Sequence, residues 1–393
     1  MQAAIRAAFL SRPRRPNVTV SQYARLTRNV TKAFLSTTSA NSQRDGPANL
    51  LITVDAFGTL YRPDIPVHKQ YFHVANEKFP LEQDAKNTIE KGLKDAIKSQ
   101  MKKHPIYGRA TGISPKEWWK EVVIKTMEPY YPTVPETLPE MLWTHFSTKK
   151  AYELSEGATP FLQNIRHLKK IAYETRSRKL NWGFKSVTVG VVTNSDDRVV
   201  DVLKALDVGV IYRTVSSPPS NAGETNQNAS ISPRDGVSIV QDEDFYDERR
   251  QWEAGVLDFV TTSYAVGVEK PDKAIFDAAL ASARGYLREI YNDDSGRFFW
   301  IHVGDEAEKD VIGPMRAGGV AVLYDTKRKE GELERMISID GVGVDCACMV
   351  VKDLREMLET LEVMEFMDCY RGLGWMREPL PTAAPIKELS KKD

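Results

Sequence analysis

The chain has 393 residues, 41% of them hydrophobic, which is enough to bury a substantial core and long enough for two or three domains. Its 54 basic residues balance its 54 acidic ones, so the whole chain lacks the global field that recruits nucleic acid or an anionic membrane surface. Cys346, Cys348 and Cys369 are an odd number placed late in the chain, which argues against a disulfide framework and suits a reducing compartment.

The charge is unevenly spread. Residues 1–44 carry Arg6, Arg12, Arg14, Arg15, Arg25, Arg28, Lys32 and Arg44 and no Asp or Glu, so the remaining chain is net negative by eight. This leader is rich in Ser, Thr and Ala, and "AAIRAAFL" is amphipathic. That composition is one of an organelle-targeting transit peptide, the alternative being a basic arm for nucleic acid. We expect mitochondrial import through the leader, its removal, and residence in the matrix, with no nucleic-acid partner. No run of 18 apolar residues follows, so no membrane span is expected.

In "LLITVDAFGTLYRP", residues 50–63, a short β-branched run stops at Asp55 and is closed by Gly58, which predicts a buried strand delivering one carboxylate to a turn. Residues 64–154 are dominated by helical spacing: Ile89, Leu93 and Ile97 fall four apart. Trp119, Val122, Val123 and Thr126 line one face of a helix that begins with a Ser114 cap and Pro115. Trp118 and Trp119 read as core anchors. A helix starts at Thr159-Pro160, and "KSVTVGVVTNSDDR" follows as a buried strand ending in a polar turn. "VLDFVTTS" leads to the turn and helix of "YAVGVEKPDKAIFDAALASA"; "FFWIHVGDEAEKD", "GVAVLY" and "VDCACMVV" continue the alternation. Strands alternating with helices predict an α/β fold with a parallel sheet and right-handed crossovers. Residues 217–250 are poor in large apolar residues and read as a flexible insertion, and 369–393 as a loose tail. Cys346 and Cys348 read as core strand residues, and His302 as a satisfied core histidine. "GVGVD", 341–345, lacks the spacing of a dinucleotide fingerprint.

In an open parallel sheet, ligands bind outside the carboxyl ends of the strands. Four such ends carry polar residues: Asp55 with Thr59; Thr193 with Asn194; Lys270 in "EKPD"; and Asp305, Glu306 and Asp310 in "GDEAEKD". A carboxylate nucleophile, a hydroxyl, an amide, a lysine and an acidic pair make a site for a divalent metal and a phosphoryl group. Lys270 would neutralise charge between nucleophile and substrate, and Asp305 and Asp310 would hold Mg²⁺, a hard ion that prefers oxygen.

"DAFGTLY", "VVTN", "EKPD" and "GDEAEKD" resemble, in order, the four motifs of the haloacid dehalogenase superfamily, whose members are aspartate-nucleophile hydrolases. "YGRATGISPKEWWKEVVIKTM", "VTTSYAVGVEKPDKAIFDAAL" and "HVGDEAEKDVIGPMRAGG" are similar to segments of a subgroup with fungal members. The resemblance implies a Rossmann-like three-layer core over 45–63 and 155–368, with a helical cap inserted at 64–154. It implies Asp55, Thr193 and Lys270 as catalytic residues and Thr59 and Asn194 against the substrate. Mg²⁺ would lie on Asp55, the main-chain carbonyl of Phe57, Asp305 and Asp310. Phosphatases of the superfamily have a second Asp two residues after the nucleophile, as general acid and base; Phe57 moves no proton. General acid–base catalysis typically contributes about 10²–10⁴-fold, so weak phosphatase turnover on a phosphorylated or anionic small metabolite is expected. Dehalogenases have an aromatic residue at that point but lack the last acidic motif, which this chain keeps. A metal-independent 2-haloacid dehalogenase, and a non-catalytic binding or assembly protein with a protein partner, stay open as alternatives.

Overall fold

The computed structural model describes residues 48–177, 184–216, 237–241, 255–293, 295–329, 332, 334–339 and 344–357. The basic leader 1–44, Cys369, the tail 369–393 and most of the insertion 217–250 lie outside the described residues.

Eleven strands occur among the described residues. They are β1 (Ala48–Val54), β2 (Tyr61–Pro63), β3 (Tyr152–Leu154), β4 (Phe184–Thr193), β5 (Gly209–Ser216) and β6 (Val237–Gln241), then β7 (Gly255–Thr262), β8 (Phe298–Gly304), β9 (Val320–Tyr324), β10 (Glu334–Ile339) and β11 (Val344–Val351). Nine form one sheet in the order β10-β11-β9-β8-β1-β4-β7-β5-β6. The seven inner strands are parallel. β6 and β10 close the two edges antiparallel. The remaining pair, β2 and β3, makes a small antiparallel ribbon where the chain leaves the sheet and returns to it.

β1 lies between β4 and β8, so the chain moves to one side of β1 first and to the other side later. That is a topological switch point, and the crevice outside the carboxyl ends of these strands is where such a sheet binds ligands. The sheet is covered on both faces. Leu50, Ile52, Val54, Val187, Val189 and Val191 cluster with Phe161 and Ile165 of the helix Ala158–Ser177. Leu51, Val192 and Phe259 cluster with Ile275, Phe276 and Ala279 of the helix Lys273–Tyr291. Alternation along β1 therefore buries both faces, which explains why its sequence is apolar throughout.

The helices Val67–Asn76, Ala85–Lys103, Pro115–Met127 and Leu138–His145 pack around an apolar cluster of their own, centred on Ile89, Trp118, Val122, Leu138 and Leu142. Ser114 caps the third helix through a reciprocal capping box with Glu117. The sequence places Trp119 on the buried face of that helix, and the structure differs. Trp118 is fully buried, whereas Trp119 is half-buried at the edge of this cluster and donates its indole N–H to Asp196 after β4. Adjacent helical residues stand about 100° apart, so only one indole of the pair can fill the core.

Five strands are not evident from sequence spacing: β2, β3, β5, β6 and β10. β6 falls inside the segment read as a flexible insertion, where five residues pair antiparallel with β5. The main-chain hydrogen bonds of an exposed sheet edge order this piece, a gain that side-chain composition does not report.

One buried ion pair ties a covering helix to the sheet. Lys169 Nζ meets Asp258 Oδ1 of β7 and donates to the Val256 carbonyl at 3.2 Å, and Asp258 Oδ2 accepts from the Val189 amide at 2.8 Å. Burial raises the Asp258 pKa above its usual range, and the lysine and amide pull against that rise. Lys169→Met leaves this carboxylate buried without its cation. We expect it to lose about 3–5 kcal/mol of stability, read as a lower urea midpoint; an unchanged midpoint would show that the pair contributes little.

Candidate active site

Asp55 follows the last residue of β1, and its amide donates to the Val303 carbonyl at 2.8 Å, which fixes the strand end against β8. The chain then turns at Gly58, whose φ of +92° suits glycine. A Cβ there would sit 2.6 Å from Asp305 Oδ2, so the turn packs directly on the second acidic motif. Thr59 Oγ1 donates to Asp305 Oδ1 at 3.2 Å.

Lys270 comes from the loop after β7, preceding Pro271. Its Nζ is 2.6 Å from Asp55 Oδ1 and 2.6 Å from Asp310 Oδ1, and all three side chains are buried. The Lys270 main chain is bracketed by one amide side chain: Asn194 Oδ1 accepts from its N–H at 2.7 Å, and Asn194 Nδ2 donates to its carbonyl at 3.1 Å. Asn194 thus holds the lysine loop. Thr193 ends β4, buried and in register with Thr262 of β7.

Asp310 is held at both oxygens. Oδ1 faces Lys270 and His302 Nε2, the latter at 3.2 Å, and Oδ2 accepts from the Glu306 amide at 3.0 Å. Gly304 leaves no room for a side chain beside this carboxyl group. Asp305 keeps contact with solvent, and exposed Glu306 pairs with Lys309 at 2.9 Å.

Electrostatics divide these acids. Burial pushes the Asp55 pKa up to about 7, with Lys270 pulling it down and Asp310 and Asp305 pushing it further up. At Asp310 the upward push of burial is outweighed by Lys270 and His302, which hold it well below the usual carboxylate range. Loss of hydration and the Asp310 charge raise Asp305. One oxygen from each of Asp55, Asp305 and Asp310 lies within 4.8 Å of the others. Three carboxylates against one ammonium leave an uncompensated negative charge, and an all-oxygen donor set of this kind fits a hard divalent cation.

Phe57 is 49% exposed, and its ring contacts Tyr61 and Tyr152 edge-on at centroid distances of 6.1 and 6.3 Å. Beyond it lies a cluster that sequence reading did not assign. Asp196 accepts from the Arg198 amide at 3.0 Å, from Arg198 Nε at 2.9 Å and from Trp119 Nε1 at 2.8 Å. The Arg198 guanidinium lies over Trp119 at 4.9 Å and Trp143 at 4.2 Å. Tyr107, at a φ of +53°, donates its hydroxyl to the Asn194 carbonyl at 2.9 Å. The sequence signals for this junction were the polar "NSDDR" after β4 and the adjacent tryptophans; neither specifies a partner.

No family model matches the chain. Relatives do. An uncharacterized hydrolase of Schizosaccharomyces pombe is 27% identical over 263 residues, 66% of this chain and 84% of the relative. Human haloacid dehalogenase-like hydrolase domain-containing protein 3 is 24% identical over 273 residues, 68% of this chain and 78% of the relative; the Xenopus laevis protein of that name is 24% identical over 70% of this chain and 84% of its own length. The chain is thus similar to proteins named as haloacid dehalogenase-like hydrolases. Among solved structures it is similar to a 2-haloacid dehalogenase from Pseudomonas syringae, with a TM-score of 0.42 and 14% identity over 80% of this chain and 98% of that one. A magnesium-bound HAD-hydrolase from Bacillus subtilis gives 0.43 and 11%, over 80% and 99%.

Lys270→Met removes the ammonium that bridges Asp55 and Asp310. The two carboxyls then face each other, their folded pKa values rise, and the folded state binds more protons than the unfolded chain at neutral pH. Stability should therefore fall by about 3–5 kcal/mol near neutral pH and recover as pH is lowered toward 5. Urea unfolding at two pH values checks this; a loss independent of pH would contradict the charge argument.

Proposed function

We propose that this protein is a hydrolase for a phosphorylated or otherwise anionic small metabolite, with Asp55 as nucleophile and Mg²⁺ as its cofactor, acting in the mitochondrial matrix. The observation that carries the reading is the Lys270 ammonium at 2.6 Å from both Asp55 and Asp310, with Asp305 beside them at the switch point of the sheet.

In this reading Asp55, Asp305 and the Phe57 carbonyl hold Mg²⁺, and Asp310 supports them from behind. Mg²⁺ supplies charge neutralisation for the oxygens of the transferring group. The chain's own residues do the rest. Lys270 holds Asp55 in place and meets the negative charge of the incoming group. An Asp55 oxygen forms a bond to phosphorus as the bond to the leaving oxygen breaks, and the electron pair departs with that oxygen. Water then hydrolyses the acyl phosphate on Asp55, returning the carboxylate and releasing phosphate. Phe57 supplies no proton to the leaving oxygen, so solvent must, and the step is slow. A metal-free dehalogenase reading is less well supported, because it would keep three clustered carboxylates with a single ammonium.

Asp55→Asn is expected to abolish Mg²⁺-dependent phosphate release from a metabolite panel. Phe57→Asp is expected to raise it by about 10-fold or more, toward the general-acid contribution. Undiminished release by Asp55→Asn would remove Asp55 as nucleophile.

The raised Asp55 pKa sets a second expectation. Without metal, the folded-state pKa of about 7 exceeds the ordinary value of 3.8, so the unfolded chain binds fewer protons between the two and stability falls as pH rises through this window. Mg²⁺ requires the ionised carboxylate, so the rise in Tm caused by the ion should grow from about pH 5 to about pH 8. A pH-independent Mg²⁺ effect would place the ion elsewhere.

A further inference from the structure

Behind Asp310 runs a line of hydrogen bonds that the proposed reaction does not use. Trp300 Nε1 lies 2.8 Å from Thr53 Oγ1, Thr53 Oγ1 lies 2.8 Å from His302 Nδ1, and His302 Nε2 lies 3.2 Å from Asp310 Oδ1. All four side chains are buried. The register of β1 and β8 puts them in line: Thr53 is paired with His302 and Leu51 with Trp300. Phe276 packs edge-on against the imidazole at 5.5 Å and tilted against the indole at 5.9 Å, so neither ring is free to turn away.

Chemistry gives this line a direction. An indole N–H only donates, so Thr53 Oγ1 accepts from Trp300; a carboxylate only accepts, so the His302 nitrogen facing Asp310 carries a proton, and a neutral ring then takes the Thr53 hydroxyl proton at Nδ1. Nδ1 is then the acceptor nitrogen of the ring, and the proton resides on Nε2, facing a carboxylate that only accepts. A neutral imidazole in this tautomer satisfies every donor and acceptor along the line; the opposite tautomer would set the Nε2 lone pair against Asp310.

We propose that Trp300, Thr53 and His302 form a one-directional hydrogen-bond relay that holds the Asp310 carboxylate on Lys270, making Thr53 and His302 positioning residues for the active-site acids. The relay explains why polar Thr53 and His302 stand buried and paired near the carboxyl ends of β1 and β8. It also explains why Asp310, six residues past the end of β8, is aimed at Lys270. Its consequence for catalysis rests on the function proposed above; its geometry does not.

The test uses the full-length protein labelled with ¹⁵N-histidine and freed of metal, with the His302 signal assigned by comparison with His302→Gln. The relay requires a ring protonated on Nε2 alone. A ring protonated on Nδ1, or on both nitrogens, overturns it. Thr53→Val keeps the shape but removes the hydroxyl. It should mix the tautomers and weaken Mg²⁺ binding, measured by calorimetry, about 10- to 100-fold. Thr53→Ser should recover the tautomer and most of the affinity. A folded Thr53→Val with the wild-type tautomer and wild-type affinity also overturns the relay. Should the Val variant fail to fold, the wild-type spectrum decides. A wild-type protein that shows the Nε2 tautomer but binds no Mg²⁺ keeps the relay and sinks the metal assignment. One that binds Mg²⁺ with the wrong tautomer does the reverse.

Discussion

A single buried ammonium serves two buried carboxylates in this protein, and the surrounding structure is organised by that imbalance. Lys270 offsets the charge of Asp55 or Asp310 but not of both together, and Asp305 adds a third acid within reach. Charges of this kind persist in an interior only when hydrogen bonds and further charge compensate them. The compensation is unequal. Asp310 has His302, the Glu306 amide and Lys270, whereas Asp55 relies on Lys270 and bears the raised pKa. The less satisfied acid is the one at the end of β1, the acid to which the proposed reaction gives the attack.

The helical unit reaches this centre through main chain as well as side chains. Tyr107 donates to the Asn194 carbonyl, and the Asn194 amide brackets the Lys270 backbone, so a displacement of the Tyr107 loop would be felt at the lysine within two hydrogen bonds. Arg198, between Trp119 and Trp143 and paired with Asp196, fastens the same junction. A cation held between two aromatic faces and a buried carboxylate is a strong local tie, because each contact gains from the low local polarity.

Phe57 marks the compromise in the site. The turn that carries it is shaped by Gly58 and packed on Asp305, and the ring is exposed toward the aromatic edge formed with Tyr61 and Tyr152. The main-chain carbonyl there is available whatever the side chain, whereas proton transfer is not. In the proposed reaction, metal binding and nucleophilic attack are thus separable from leaving-group protonation.

Strand ends, helices and the order of polar motifs were legible in the sequence, since they depend on residues close together in the chain: the apolar run before Asp55, the Ser114 cap ahead of Pro115, the alternation of strands and helices. The parallel sheet and the meeting of Asp55, Lys270, Asp305 and Asp310 at one edge follow from that order. Which indole of Trp118 and Trp119 fills the core, that Asn194 grips Lys270, that β6 forms on a sheet edge, and that Trp300 and Thr53 stand behind His302 were decided by tertiary structure alone. The reason is physical. Local pattern reports the preferences of one segment. Pairings between residues hundreds of positions apart depend on strand register and packing, which exist only after the whole sheet has closed around its core.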